Sequence, residues 1–175
     1  TVVIDNLTTY ANVQYDSAIS GLHGLYLGDS LAEAHNYKGW HGEMAEHYGV
    51  TGYNVATGGR ALNNNGIFRE LSEVPEGMDF DFVLIDGGAN AYWSHITVGE
   101  VTPAGTTSFD ETTPIGGLEK LFYTMSTTYP DAELFFILLY VPNWNTFYKE
   151  PYVNEFAPRV RQACEKWGVH LLDLI

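Results

Sequence analysis

The sequence predicts a three-layer α/β/α domain built on a five-stranded parallel sheet. Three observations carry that expectation. From Gly24 onward, short apolar runs alternate with longer helical patterns. Several of the runs are apolar at nearly every position, as strands covered on both faces must be. The chain has 175 residues and is 45% hydrophobic, which is enough for one sizeable core and excludes a disordered chain.

Residues 1–20 alternate loosely, with Val2, Val3 and Ile4 followed by Leu7, Tyr10, Val13 and Tyr15. They are expected to form an arm on the domain or a linker, and residues 21–175 the domain itself. Strand one is read as Gly24–Gly28. A helical pattern follows over Leu31–Tyr48, weakened by Gly39 and Gly42 and expected to break near Tyr37–Gly39. Gly49 is a helix stop. Strand two is Gly52–Ala56, and a Gly/Asn-rich loop over Thr57–Gly66 leads into a short helix over Ile67–Val74. Strand three is Phe80–Ile85, set off by Pro75–Gly77 before it and Gly87–Gly88 after it.

Asn90–Pro114 is a long Thr- and Gly-rich stretch without a helical or strand period, and ordered loops of that length are usually functional. A helix is expected over Ile115–Thr128, strand four over Leu134–Tyr140, and a loop over Val141–Pro151. The last helix is Val153–Trp167, with Pro158 either kinking it or marking its start. Gly168 closes that helix, and strand five is Val169–Leu174.

Charge narrows the partners. The formal net charge is −14, from 22 acids against eight Lys and Arg, so the surface repels phosphate backbones and anionic membranes. Nucleic acid is therefore excluded as a partner. No apolar run reaches membrane-spanning length: the longest, Leu134–Val141, has eight residues. Cys164, the single cysteine, excludes an internal disulfide and falls in a helical stretch, where it reads as a small buried hydrophobe. No initiator Met or signal peptide opens the sequence, so a processed or excised piece is expected.

The chemistry concentrates where strands end. The carboxyl ends of strands in an open α/β sheet form its ligand-binding rim. Strand one ends in Gly28-Asp29-Ser30. Strand two runs into Asn54-Val55-Ala56-Thr57-Gly58-Gly59, and strand three into Gly87-Gly88-Ala89-Asn90. Taken alone, Asp29 or Ser30 is a helix cap, and Gly59 and Asn90 are turn residues. Together they place a serine hydroxyl, a glycine N–H and an asparagine amide on one rim. That set suits acyl transfer, with serine attacking and the two donors holding the developing oxyanion.

These blocks resemble the SGNH (GDSL-type) hydrolase family over nearly the whole chain from Gly24. The resemblance rests on Gly28-Asp29-Ser30-Leu31, on Asn54 through Gly59, and on Gly88-Ala89-Asn90. Ser94-His95-Ile96-Thr97-Val98-Gly99 and Tyr129-Pro130-Asp131-Ala132 resemble a bacterial and phage-associated branch of it. The resemblance implies a flavodoxin-like sheet of order near 2-1-3-4-5. It makes Ser30 the nucleophile, with its own N–H, the Gly59 N–H and the Asn90 side chain as the oxyanion hole. It implies an esterase or deacylase, a small acyl ester or acetylated glycan as substrate, no cofactor and no metal, and a secreted, cell-surface or virion-associated setting.

Two departures from the family pattern stand out. Ala91 stands where the family usually has Asp after the third-block Asn. The family's Asp-x-x-His, which supplies the general base, follows the fifth strand, and nothing in Leu171-Leu172-Asp173-Leu174-Ile175 matches it. The domain is thus expected to be C-terminally incomplete. An apolar gap is expected beside Ser30, open to a partner chain or a dimer. The alternative is a non-catalytic carbohydrate-binding module of a phage or cell-surface assembly that keeps the hydrolase fold.

Among the histidines, His95, five residues past Asn90, is the candidate substitute base. His35 follows Ser30 on the helix but is expected to point elsewhere. His23 is expected at the far end of strand one, roughly 15–20 Å from the rim. His41 and His47 are poorly spaced for a metal, and His170 is expected to be buried in strand five. Asp173 lies within that strand and is given a structural role. Asp29, Trp93, Trp144 and Tyr148 are candidate substrate contacts, the aromatics as stacking surfaces for a sugar. Phe147 lies on the same predicted rim loop.

Overall fold

A computed structural model of the chain describes residues 18–34, 38–90, 96–139 and 150–175. Five strands form one sheet: β1 (His23–Gly28), β2 (Thr51–Asn54), β3 (Phe82–Asp86), β4 (Glu133–Leu138) and β5 (His170–Asp173). All neighbours are parallel and the order is β2-β1-β3-β4-β5, as expected. The expected strand centres hold, with ends moved by a residue or two. β2 ends at Asn54, whose side chain takes the N–H of Ala56 at 3.0 Å, while Val55 and Thr57 N–H still donate to the Tyr26 and Gly28 carbonyls of β1 at 3.1 and 3.2 Å.

The pleat sorts the strands' residues between two cores. Leu25, Leu27, Val83, Ile85, Leu134, Phe136 and Leu138 face the larger one. Helices α3 and α4 close that side, α3 being Pro114–Thr128 and α4 being Ala157–Trp167; a 3₁₀ helix over Ile67–Glu73 completes it. Tyr26, Phe82 and Leu84 face the smaller core, under Trp40 and Met44 of α2 (Gly39–Tyr48). Right-handed crossovers explain the inequality. The connection from β1 to β2 runs one way across the sheet and all later ones run the other. Of the described helices longer than one turn, α2 alone therefore packs on the second face.

What α2 leaves open is an apolar groove of about 380 Å³ between Phe82, Leu84, Phe135 and Leu172. It lies over β3–β5 toward Asp81 and Glu133, the residues at the amino ends of β3 and β4. This differs from the gap expected beside Ser30, which lies past the opposite ends of the strands.

The helical stretch after β1 breaks as expected. A single turn, α1 (Ser30–Glu33), ends in a left-handed Ala34, and α2 begins at Gly39. Pro158 sits in the first turn of α4, where the chain passes into it from a π-helical turn over Tyr152–Phe156, so the change of helix type, rather than a fresh start, accommodates the proline. Cys164 is buried, and burial pushes its thiol up to about 12. His170 corrects the expectation of a buried ring. β5 is an edge strand, and the imidazole lies exposed, stacked on Phe135 at 4.9 Å with Nε2 at 2.7 Å from Glu133.

Candidate active site

β1 delivers Ser30 to the rim. Gly28 is required there by close approach: a Cβ would stand 2.2 Å from the Asp86 carbonyl and 2.8 Å from Ala32 Cβ. The next residue, Asp29, is wholly buried and serves as the N-cap of α1, its Oδ1 accepting from Leu31 N–H at 3.0 Å. Because Asp29 caps, Ser30 does not. Ser30 is exposed, and no described side chain hydrogen-bonds to its hydroxyl.

The loop after β2 lies against this serine. Thr57 N–H donates to the Gly28 carbonyl at 3.2 Å, and Gly58 N–H to Glu33 Oε2 of α1 at 3.0 Å. A Cβ on Gly58 would touch Ser30 Cβ at 3.5 Å. Gly59 follows with φ +79°, a conformation that favours glycine, and a Cβ there would meet nothing within 4 Å. The N–H groups of Ser30 and Gly59 have no acceptor among the described residues. Asn90 joins the same loop from the end of β3, one amide hydrogen of its Nδ2 donated to the Arg60 carbonyl at 3.0 Å. That bond fixes the amide and leaves its second hydrogen for another acceptor. Ser30, Gly59 and Asn90 thus share one rim, tied together through residues 57–60.

Two further acids at this rim escaped the sequence reading. Glu70, on the 3₁₀ helix, is wholly buried. Its Oε2 accepts from Gly28 N–H at 2.9 Å and its Oε1 from Thr57 N–H at 3.1 Å. Burial pushes its carboxyl up to about 8, against the pull of those two N–H groups and of Arg60; Glu73 adds to the rise. Asp86, the last residue of β3, is pushed up to about 7 by burial and then by the charge of Asp29, opposed by the Trp40 indole. Burial also raises Asp29. Asp29 Oδ2 and Asp86 Oδ1 accept no hydrogen bond from the described residues. The sequence held a signal for Glu70: it shares a helical face with Ile67, Leu71 and Val74, all apolar.

The remaining candidates divide. His23 lies at the amino end of β1, its N–H on Asp81 Oδ2 at 2.7 Å, far from the rim as expected. His41 stacks on Tyr26 with Nε2 at 3.0 Å from the Asn54 amide, and His47 pairs with Glu43 at 2.9 Å. No group of three or more metal-ligating side chains occurs among the described residues. His35, Trp93, His95, Trp144, Phe147 and Tyr148 lie outside the described residues. No described helix is long and apolar enough to cross a membrane.

Comparison with known proteins agrees with the geometry. Residues 26–174 match the profile of the GDSL-like lipase/acylhydrolase family. Among solved structures, a protein from Lactobacillus plantarum is similar, with 22% identity over 89% of this chain and 78% of its own, and a TM-score of 0.66. The psychrotrophic esterase EstA from Pseudoalteromonas, solved with monoethylphosphonate as inhibitor, is 21% identical over 87% of this chain and 76% of its own, with a TM-score of 0.63. A sequence search of curated proteins finds no match.

Proposed function

The chain belongs to the GDSL-like lipase/acylhydrolase family, and from that membership we propose that it is a serine ester hydrolase whose nucleophile is Ser30. The observation that carries the reading is the freed serine. Asp29 takes the capping role, so an exposed hydroxyl stands beside two N–H groups that have no described acceptor and an amide held at Arg60.

Ser30 Oγ adds to the carbonyl carbon of the ester. The carbonyl oxygen gathers negative charge and is held by the N–H groups of Ser30 and Gly59 and by the second amide hydrogen of Asn90. Collapse breaks the C–O bond, the alcohol leaves with a proton, and an acyl-Ser30 ester remains. Water then attacks that ester on the same face, releasing the acid and restoring the hydroxyl. The proton acceptor for Ser30 is proposed to be His95 or a histidine of an Asp-x-x-His segment outside the sequence in hand.

For substrate, we propose an O-acetyl group on a neutral glycan. The net charge of −14 disfavours anionic esters, and Trp93, Trp144 and Tyr148 are available to stack on a sugar ring.

Hydrolysis of p-nitrophenyl acetate, and acetate release from an O-acetylated glycan, test this on wild type, Ser30→Ala and His95→Ala. Ser30→Ala is expected to lose about 100-fold or more in kcat/KM. Equal rates for wild type and Ser30→Ala would sink the mechanism. An unchanged His95→Ala would remove His95 as the base.

A further inference from the structure

β2 ends at Asn54, four residues short of the loop position that faces Ser30. Beyond that point residues 55–57 still donate to the Tyr26 and Gly28 carbonyls of β1, but the Gly28 N–H has no backbone acceptor on that side among the described residues. Glu70 fills the place. One carboxyl oxygen takes Gly28 N–H at 2.9 Å, and the other takes Thr57 N–H at 3.1 Å. Gly28 stands two residues before Ser30, and Thr57 two residues before Gly59.

We propose that Glu70 is a positioning residue for the ester hydrolase reading above: a buried carboxyl bridge that sets the separation between the nucleophile and the oxyanion-binding loop. The proposal rests on that reading for its consequence and on the two hydrogen bonds for its geometry.

The residue type follows from the partners. Both are N–H donors, so the bridge needs an accepting oxygen at each on one rigid plane, and a carboxyl supplies both in either protonation state, since the hydroxyl oxygen of the acid keeps acceptor capacity. Gln offers one oxygen, and its NH₂ would confront the second N–H. Asp is one methylene shorter. The other edge of β1 is already fixed, since Asp29 N–H donates to the Asp86 carbonyl at 3.2 Å. Ser30 is therefore held from β3 on one side and from Glu70 on the other. Thr57 N–H is shared between Glu70 and the Gly28 carbonyl, so removing the bridge loosens the loop without releasing it. Donors that stabilise an oxyanion act only over a narrow range of positions, and a small displacement costs rate rather than binding.

The test uses wild type, Glu70→Gln, Glu70→Ala and Ser30→Ala. It combines p-nitrophenyl acetate kinetics, thermal unfolding, and amide exchange at Gly28 and Thr57. Glu70→Gln is expected to stay folded at the assay temperature, with both amides exchanging about tenfold faster or more. Its kcat is expected to fall about tenfold or more with KM within about twofold, and Glu70→Ala to fall further. If Glu70→Ala does not fold, Glu70→Gln decides alone. Faster exchange with an unchanged kcat would reduce Glu70 to a structural role and overturn the proposal, as would unchanged exchange at both amides. Failure of the underlying reading looks different: wild type and Ser30→Ala would then turn over the ester equally, whatever the amides do.

Discussion

Glu119 and Glu70 are both wholly buried, and their surroundings differ in kind. Glu119, on α3, accepts from Thr102 N–H at 2.8 Å, Thr102 Oγ1 at 3.1 Å, Lys166 Nζ and Trp167 Nε1 at 3.0 Å. A cation neutralises it, and its four donors pin the long loop before α3 to α4. Glu70 and its neighbours Asp29 and Asp86 have no cation bonded to them among the described residues. Among the described residues one oxygen of Asp29 and one of Asp86 accept no hydrogen bond, and burial raises all three carboxyls. One region is a structural knot whose charges are matched. The other is a rim where acids are held by backbone N–H groups beside a serine. Full satisfaction marks scaffold, and unspent hydrogen-bonding capacity with perturbed acidity marks a place where chemistry can occur.

The sharpest way to break this contrast is to remove the cation. Lys166→Met leaves Glu119 buried without its partner charge and is expected to cost about 3–5 kcal/mol in urea unfolding. A cost under about 1 kcal/mol would show that Thr102 and Trp167 satisfy Glu119 unaided. At the rim the same removal of a hydrogen-bonding partner is milder. Glu70→Gln keeps one acceptor and disappoints one N–H, for an expected loss of about 1–3 kcal/mol.

The raised rim acids also give stability a pH dependence of known sign. Glu70 and Asp86 hold their protons in the folded chain up to about 8 and about 7, whereas an unfolded Glu or Asp gives its proton up near 4. Between those limits the folded state binds more protons. Their contribution is complete at low pH and is lost as pH rises through 7 and 8. Each such group steepens the fall by at most about 1.4 kcal/mol per pH unit. The urea midpoint of wild type is therefore expected to drop from pH 6 to pH 9, with a shallower drop in Glu70→Gln. Below about pH 4 the surface pairs act in the opposite direction, because Arg159 and Lys120 hold Glu100 and Glu111 under the usual carboxylate range.

The contrast also explains what could be read in the sequence. The strands and the three rim blocks were legible, because buried parallel strands are continuous apolar runs and each ends in glycine or a small polar residue; the strand order came with the family resemblance. Ser30, Gly59 and Asn90 fall in the blocks at those ends, so periodicity placed the blocks on one rim and the family resemblance singled out the three residues. Glu119 was not legible as a buried group, and Glu70 was marked only by the apolar helical face it shares with Ile67, Leu71 and Val74. An acid in a helix is ordinarily solvated, and only its tertiary donors, distant in sequence, reverse that. His170 failed for the converse reason. Its strand is apolar enough to read as interior, but strand five lies at the sheet edge, where a ring can sit in solvent against Glu133. The apolar groove over β3–β5 was not anticipated, because the direction of each crossover, not composition, decides which face a helix covers.

Asp173 supplies the smallest effect and the finest distinction. It is an acid near the end of the sequence read, the region where a catalytic base's partner would be sought. Its carboxyl is already engaged. Oδ2 accepts from Arg161 Nε at 2.7 Å and Oδ1 from Ile175 N–H at 3.0 Å, and the Arg161 guanidinium holds it below the usual range. Unlike Glu119 with Lys166, this pair is open to water, with 42% and 33% of the two side chains exposed. Solvent screens the attraction and competes for both partners, so such pairs contribute at most about 1 kcal/mol. Asp173→Asn is accordingly expected to shift unfolding by about 0.5 kcal/mol or less and to leave Ser30-dependent turnover unchanged. Breaking an ion pair, severe where Glu119 loses Lys166, would then be nearly silent here, with water the main difference. A tenfold fall in kcat without a matching loss of stability would instead move Asp173 from the strand's scaffold to the catalytic rim.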